Sequence, residues 1–471
     1  MTAWSAMIVW LAPVVLGSGL WIALSGWPRR PHGFAIAVGA GWIVGALLCG
    51  LFMRSLAADD LSTGLFRIGT CATVLGATGW LVGWYLRGHV PLAALPRATR
   101  AEAVATALLL AVLAARAWLF ASDIALHPTL PWDAWAVWSA KAKAWVMTGH
   151  AAPYVSFDTW LSQPDADVRT AAAWNYPELL PWTLTWFATY VGWVEPWVNA
   201  AWLGLWAGLL LAHYGQWRDL GLSRLHALAG VYLLGSLPLL DAHVALGGYA
   251  DLWVGALMSL ATHAWLGWRE THERRQLAIV ALLAALLPMI KLEGAIWSIV
   301  LAAATLFGVL PRGLRTKRFF IGAVAAALIL ALSITLSMPW VAVARRYVQD
   351  SAAVDLRQAG QSLRAVANAL WGQWNWNMLW FVLPAASIWM RAQWRNSSAV
   401  RRLVAFVAVP VLLVVGLFVF TSAARYAQSY SAVNRLLLQL APMLVSVLVF
   451  VLWPPADQPV ERASPDEAAA A

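Results

Sequence analysis

Apolar runs of membrane-crossing length recur along the whole chain, and no other property limits its fold so strongly. Runs of about 18–22 residues match a hydrocarbon core of ~30 Å, and they do not alternate in polarity as the ~10-residue strands of a transmembrane barrel do. Charge is correspondingly scarce. Only 11% of the 471 residues are charged and 61% are hydrophobic, against about 25% charged in an ordinary soluble domain. The sequence therefore predicts an all-α polytopic membrane protein with about 13–14 transmembrane helices. Spans are expected near 5–25, 33–53, 68–86, 102–121, 178–194, 197–214, 224–241, 248–268, 276–290, 293–310, 319–340, 377–391, 402–421 and 434–453.

The first run lacks the basic flank of a signal peptide and leads into another apolar run, so it reads as a retained span. Cys49 and Cys71 both fall inside predicted spans, as small apolar packers that form no metal motif. The net charge of +10 is no nucleic-acid signal, because the basic residues sit in short loops between spans. Arg29 and Arg30, Arg87 to Arg100, Arg218 and Arg224, Arg269 to Arg275, Arg312 to Arg318 and Arg391 to Arg402 mark those loops as cytoplasmic. The outer segments are then 122–177, 242–247, 341–376 and 422–433, and the Pro/Ala/acid-rich tail 454–471 reads as a disordered cytoplasmic end. One conflict stands. Two spans between 177 and 213 would leave Arg218 and Arg224 outside, so 178–194 is the doubtful span, re-entrant or at the surface. The 33 tryptophans suit the membrane–water interface.

The long outer segment 122–177 exceeds a plain connector, and it contains the stretch PWDAWAVWSAKAKAW at 131–145. Read as a helix, this places Trp135, Trp138, Ala142 and Trp145 within about 80° of one another. Lys141 and Lys143 flank that stripe and Asp133 lies opposite. The pattern predicts a helix lying flat on the bilayer, indoles down and lysines snorkelling at its edges. Asp133 then turns towards water and is available for chemistry. It also precedes a helical run, so capping is the competing role.

Further candidates stand at the outer ends of spans. Tyr176 and Glu178 lie where a polar loop with two prolines meets an apolar run. Tyr249 and Asp251 begin a span; an aspartate at bilayer centre costs ~2.5–3.5 kcal/mol and usually faces a bundle interior or a wet cavity, although an interfacial cap is the alternative. Lys291 and Glu293 interrupt two apolar runs. Residues two apart share no helix face, so each should find a partner elsewhere, Asp251 being the expected one for Lys291. Arg345, Arg346, Arg357, Arg364 and Arg435 lie on the side where few basic residues are expected, which points to a bound anion. Phosphate suits guanidinium best, with solvated surface arginines as the plain alternative. There is no Walker lysine motif, GxSxG elbow or His-Glu-x-x-His pair. No internal repeat marks a transporter.

The order of these motifs, Trp-Asp-Ala-Trp with Lys-Ala-Lys, Tyr-Pro-Glu-Leu-Leu-Pro, Tyr-Ala-Asp-Leu, Lys-Leu-Glu-Gly and Arg-Leu-Leu-Leu, resembles bacterial membrane glycosyltransferases of the GT-C superfamily. These are relatives of the protein O-mannosyltransferases and the lipid A aminoarabinose transferases. The likeness covers 102–453 and leaves the helices of 1–101 outside it. It implies a GT-C-like bundle in the bacterial inner membrane, with amphipathic helices in the first periplasmic loop. A sugar would pass from a polyprenyl-phosphate donor to a lipid, glycan or protein acceptor at the periplasmic face. It also implies that Asp133 acts as general base, with Asp123 a weaker candidate, and that Asp251 lines the same cavity. The chain departs from the best-known pattern because Ala134 follows Asp133 where an acidic pair is usual. That leaves the acceptor class and any divalent cation open.

Chemically, a base must reach the acceptor hydroxyl while C1 gains oxocarbenium character and phosphate departs, with inversion expected. Lys141, Lys291, Arg345, Arg346 and Arg435 are the candidate clamp for that phosphate, while Trp132 and Trp135 could line the substrate. Two alternatives remain: an O-antigen ligase or polymerase using lipid-diphosphate donors, in which loop 341–376 would matter most, and a transporter or flippase for an anionic lipid or solute.

Overall fold

The structure is a computed structural model that describes residues 3–28, 30–87, 98–164, 166–309 and 354–454. Among these the regular elements are helices, and extended pairing is limited to two isolated bridges, Tyr154 with Arg169 and Val354 with Thr421. The chain is an all-α polytopic membrane protein. Among the described residues six helices are long and apolar enough to cross a bilayer: Trp4–Ser25, Pro31–Leu56, Leu61–Leu86, Arg100–Leu126, Leu292–Val309 and Ser398–Phe420. Helices α9 (Arg224–Gly235) and α10 (Pro238–Leu246) make a seventh crossing if taken together, bent by 64°. Pro238 opens α10 and offers no N–H to the turn before it. The Ser236 carbonyl at that break accepts the Asn377 side-chain amide at 2.8 Å.

Fewer helices meet that measure than the hydropathy pattern predicts, and the reasons differ. Segment 178–194 forms α7 (Leu179–Ala188), whose ten residues reach only about 15 Å. Segment 377–391 is the 11-residue α15 (Leu379–Trp389), and 434–453 is broken into α19 (Val433–Leu438) and α20 (Ala441–Leu452). The expected span 319–340, Arg345 and Arg346, the basic cluster Arg312 to Arg318 and the tail from 455 lie outside the described residues. Helices α8 (Glu195–Asp219) and α11 (Asp251–Thr271) are long enough but less apolar; α11 is buried almost end to end, which relieves it of the need to match lipid.

Helices α1 (Ala3–Ser25), α2 (Pro31–Leu56) and α3 (Gly64–Arg87) pack through glycines. A Cβ on Gly17, Gly41 or Gly45 would strike the backbone of the facing helix, and Gly19, Gly76 and Gly79 play the same part between α1 and α3. Small residues let membrane helices approach this closely. These N-terminal helices are continuous with the rest of the bundle: Trp186 Nε1 of α7 donates to the Val9 carbonyl at 3.1 Å, and Gly39 of α2 lies against Gly208 and Ala212 of α8. Many of the tryptophans are packed inside the bundle. Trp138, Trp145, Trp186, Trp202, Trp217, Trp253, Trp297 and Trp376 are fully buried, and stacked pairs such as Trp42–Trp253 and Trp145–Trp182 fill the core.

Contacts sort the helix ends into two faces of the bundle. At one end Glu195, which starts α8, accepts from the Thr129 N–H at 2.8 Å and from Lys143 at 3.4 Å. The start of α8 therefore lies beside the end of α4 (Arg100–Leu126), so α7 enters and turns back without crossing. Gly248 abuts Ala134 at this same end. At the opposite end His32 meets Asp219 at 3.3 Å, Arg402 pairs with Glu270, Arg269 donates to the Gly308 carbonyl, and His226 stacks on Trp453.

Candidate functional site

The segment after α4 does not show the face that helical periodicity predicts. Residues Ala134–Trp138 form a π-helical turn that leads into α5 (Ser139–Thr148). A π turn holds one residue more than an α turn, which rotates Trp135 off the face shared by Trp138 and Trp145. The latter two are buried in the protein, while Trp132 and Trp135 remain exposed and pack on each other at 4.8 Å. Lys141 does not snorkel either. It is 1% exposed and its ammonium donates to the carbonyls of Trp174 (2.8 Å) and Tyr176 (3.4 Å) and to Glu178 (3.2 Å). Burial pulls that ammonium below the usual lysine range and Glu178 opposes the pull. Its three donors are used in pinning segment 174–178, which corrects its place in a phosphate clamp.

Asp133 does not cap the helix it begins. Its side chain makes no capping bond, and it pairs instead with Arg435 Nη2. Arg435, on α19, also donates from Nε (3.0 Å) and Nη2 (2.8 Å) to Oδ2 of Asp251, and its guanidinium lies 4.9 Å from the centre of the Tyr249 ring. The other Asp251 oxygen accepts from Lys291 Nζ and Gln439 Nε2, both at 2.7 Å. Four donors thus fill the acceptor sites of a fully buried carboxylate. Gln439 is itself oriented by Trp297 Nε1 at 2.6 Å. The start of α11 adds the favourable end of its dipole at Asp251.

Lys291 meets Asp251 as expected, and it also meets Glu293 at 3.3 Å, contrary to the expectation from helix periodicity. The reason is local. Lys291 has extended dihedrals (φ −152°, ψ 151°) between α12 (Arg274–Ile290) and α13 (Leu292–Val309), so helical spacing does not apply to the pair. The half-buried Tyr176 hydroxyl lies close enough to feel Glu293, Lys291, Asp133 and Arg435; burial raises its pKa first, and the Glu293 charge adds to that. Tyr249 is likewise raised by burial, with Arg435 pulling the other way.

The structure therefore brings together Asp133, Asp251, Lys291, Glu293 and Arg435, with Tyr176 and Tyr249 at the border and Lys141 and Glu178 holding the adjoining loop. It leaves others apart. Asp123 lies in the last turn of α4, half-exposed, 3.9 Å from His127. Arg357 and Arg364 are exposed at the surface. Within the cluster two cations, Lys291 and Arg435, face three carboxylates, Asp133, Asp251 and Glu293, so it carries one net negative charge. Among the described residues no three His, Cys, Asp or Glu side chains converge as a metal centre requires. A cavity of about 510 Å³ between α4, α8 and α9 is apolar and contains none of these residues. Gln439 is a member of the cluster that no sequence motif singles out.

No protein-family model, curated protein or solved structure matches the chain.

Proposed function

We propose that the protein is a membrane glycosyltransferase taking a sugar from a polyprenyl-phosphate donor, with Asp133 as its general base. The observation that carries this reading is the Arg435 guanidinium shared by Asp133 and Asp251 at one end of the bundle. Asp251 is buried and fully bonded, so it is the fixed anchor of Arg435. Asp133 is the partly exposed partner, held only from one side. A donor phosphate is a stronger bidentate partner for guanidinium than one carboxylate oxygen. Its arrival displaces Asp133, turning an ion-paired carboxylate into one free to meet the acceptor hydroxyl.

The reaction then balances. The acceptor oxygen attacks C1, the C1–O bond to phosphate breaks, the hydroxyl proton passes to Asp133, and the phosphate leaves with its charge held by Arg435 and Lys291. Attack opposite the leaving group inverts the anomeric centre. Arg345 and Arg346 belong to the remaining candidate cations. The basic residues Arg218, Arg224, Arg269, Arg274, Arg275 and Arg402 gather near the opposite end, which under the positive-inside rule makes the cluster's end extracytoplasmic. The GT-C-like fold and the inner-membrane, periplasm-facing placement belong to this same proposal.

One observation favours a transporter as the second reading. Arg116, midway along α4, pairs with Asp241 in the first turn of α10, just past the bend of the α9–α10 crossing, so an ion pair stands part-way along a candidate crossing. Such pairs mark transport paths.

The test is Asp133→Asn, purified in detergent and assayed with polyprenyl-phosphate sugars. Transfer should fall by at least a thousandfold while the protein stays monodisperse. Undiminished transfer would remove Asp133 from the chemistry. Solute accumulation by proteoliposomes without any sugar transfer would decide for the transporter.

A further inference from the structure

The segment 368–377, Asn-Ala-Leu-Trp-Gly-Gln-Trp-Asn-Trp-Asn, has a composition that its packing leaves unexplained. It joins a second π-helical turn (Asn368–Gly372) to a single 3-10 turn (Trp374–Trp376) and ends at Asn377, whose φ of 49° is rare for a residue with a side chain. Strained backbone and π turns cluster at functional positions. The segment packs beside α19, the helix that bears Arg435. Trp376 Nε1 donates to Asn434 Oδ1 at 3.1 Å, and Asn434 Nδ2 donates to Gln373 Oε1 at 2.6 Å. Asn375 Nδ2 donates to the same Gln373 oxygen at 2.9 Å. Asn434 is the chain neighbour of Arg435.

This relay fixes the Gln373 amide. Its oxygen is used twice, so its NH2 points to whatever approaches, and the Asn375 carbonyl likewise has no partner among the described residues. Between them stands Trp374, 84% exposed. No Asp, Glu, Lys or Arg occurs from 365 to 390. Indole faces beside fixed neutral amides suit a neutral polyol. The rings cover the apolar C–H face of a pyranose, and planar amides offer donor and acceptor to its hydroxyls. The segment itself supplies no countercharge for an anionic lipid headgroup or a charged peptide.

We propose that Gln373, Trp374 and Asn375 form a binding site for a neutral saccharide unit of a substrate, delivered to the Asp133–Arg435 cluster. The assignment rests on the glycosyltransferase reading for its purpose, but not for its test. Binding of a panel of neutral oligosaccharides (malto-, cello-, manno- and chitotriose) is measured by titration calorimetry on the Asp133→Asn protein, so that no chemistry is needed. At least one should bind, and Trp374→Ala and Gln373→Ala should each weaken it about tenfold, with Trp374→Phe largely restoring it. In the unsubstituted background the same changes should raise one KM by a similar factor: that of the acceptor if the unit is the acceptor's, that of the donor if it is the donor's sugar. Failure of every oligosaccharide to bind, or equal binding by Trp374→Ala and Gln373→Ala, overturns the saccharide site and leaves the role of Asp133 standing. Full transfer by Asp133→Asn overturns that role and leaves the binding result standing.

Discussion

Replacing Asp251 with alanine tests the division of labour between the two aspartates most directly. Asp251 accepts from Lys291, Gln439 and Arg435 through four bonds at 2.7–3.0 Å. Charge-assisted bonds of this kind are worth about 1.5–3 kcal/mol each, but they share one carboxylate and do not add. The better figure is the ~3–5 kcal/mol for removing one partner of a buried ionic network and stranding the others. Here the stranded groups are a buried ammonium and a guanidinium, the latter still touching Asp133. At ~2.1 cal/mol/K per residue, unfolding all 471 residues as one unit gives about 1 °C per kcal/mol, so Tm should drop by roughly 3–5 °C. A smaller cooperative unit would give a larger drop. The assay is thermal unfolding in detergent followed by size-exclusion, with Asp133→Asn measured beside it. Asp133→Asn should stay within about 1 °C of the parent, because Arg435 keeps its bonds to Asp251. An unchanged Tm for Asp251→Ala, or an equal drop for Asp133→Asn, would refute the assignment of Asp251 as anchor and Asp133 as mobile partner.

Two further outcomes follow from neighbouring geometry. Gly248 has φ +100° and a Cβ there would run into the Ala134 Cβ, so Gly248→Ala should cost about 2–4 kcal/mol. It should also push the Asp133 turn off Arg435, reducing transfer more than it reduces membrane insertion, as activity and insertion assays together would show. His150 pairs with Asp167, and that hydrogen bond together with one to the Thr148 carbonyl raises the imidazole pKa above its usual 6.5. Because the folded value is the higher one, the contribution of the pair is fully present below about pH 6.5 and fades as pH rises through the raised value. Hydrogen exchange across 148–169 should therefore quicken with pH beyond the intrinsic trend, and Asp167→Asn should abolish the excess.

The sequence by itself determines the class of this molecule, because a chain this apolar can satisfy its backbone in lipid only as helices. It also places the charged candidates at span ends, and it pairs Lys291 with Asp251, since a buried acid and a buried base at matching depths have few other partners. Periodicity serves less well at the details. It gave residues 131–145 a membrane-lying stripe because it assumes α geometry, and the π turn at Ala134–Trp138 breaks that assumption. It separated Lys291 from Glu293 for the same reason. Hydropathy alone reads Leu179–Ala188 as a span because it is apolar from being enclosed by other helices, and it took the charges at Arg218 and Arg224 to mark that segment as doubtful. What only the tertiary structure decides is the cluster itself. Asp133 and Arg435 are 302 residues apart, and no local pattern records that one guanidinium serves two aspartates. Burial likewise turns Lys141 from a free cation into a loop pin. Local sequence dictates which residues form a face, whereas long-range packing dictates what that face meets.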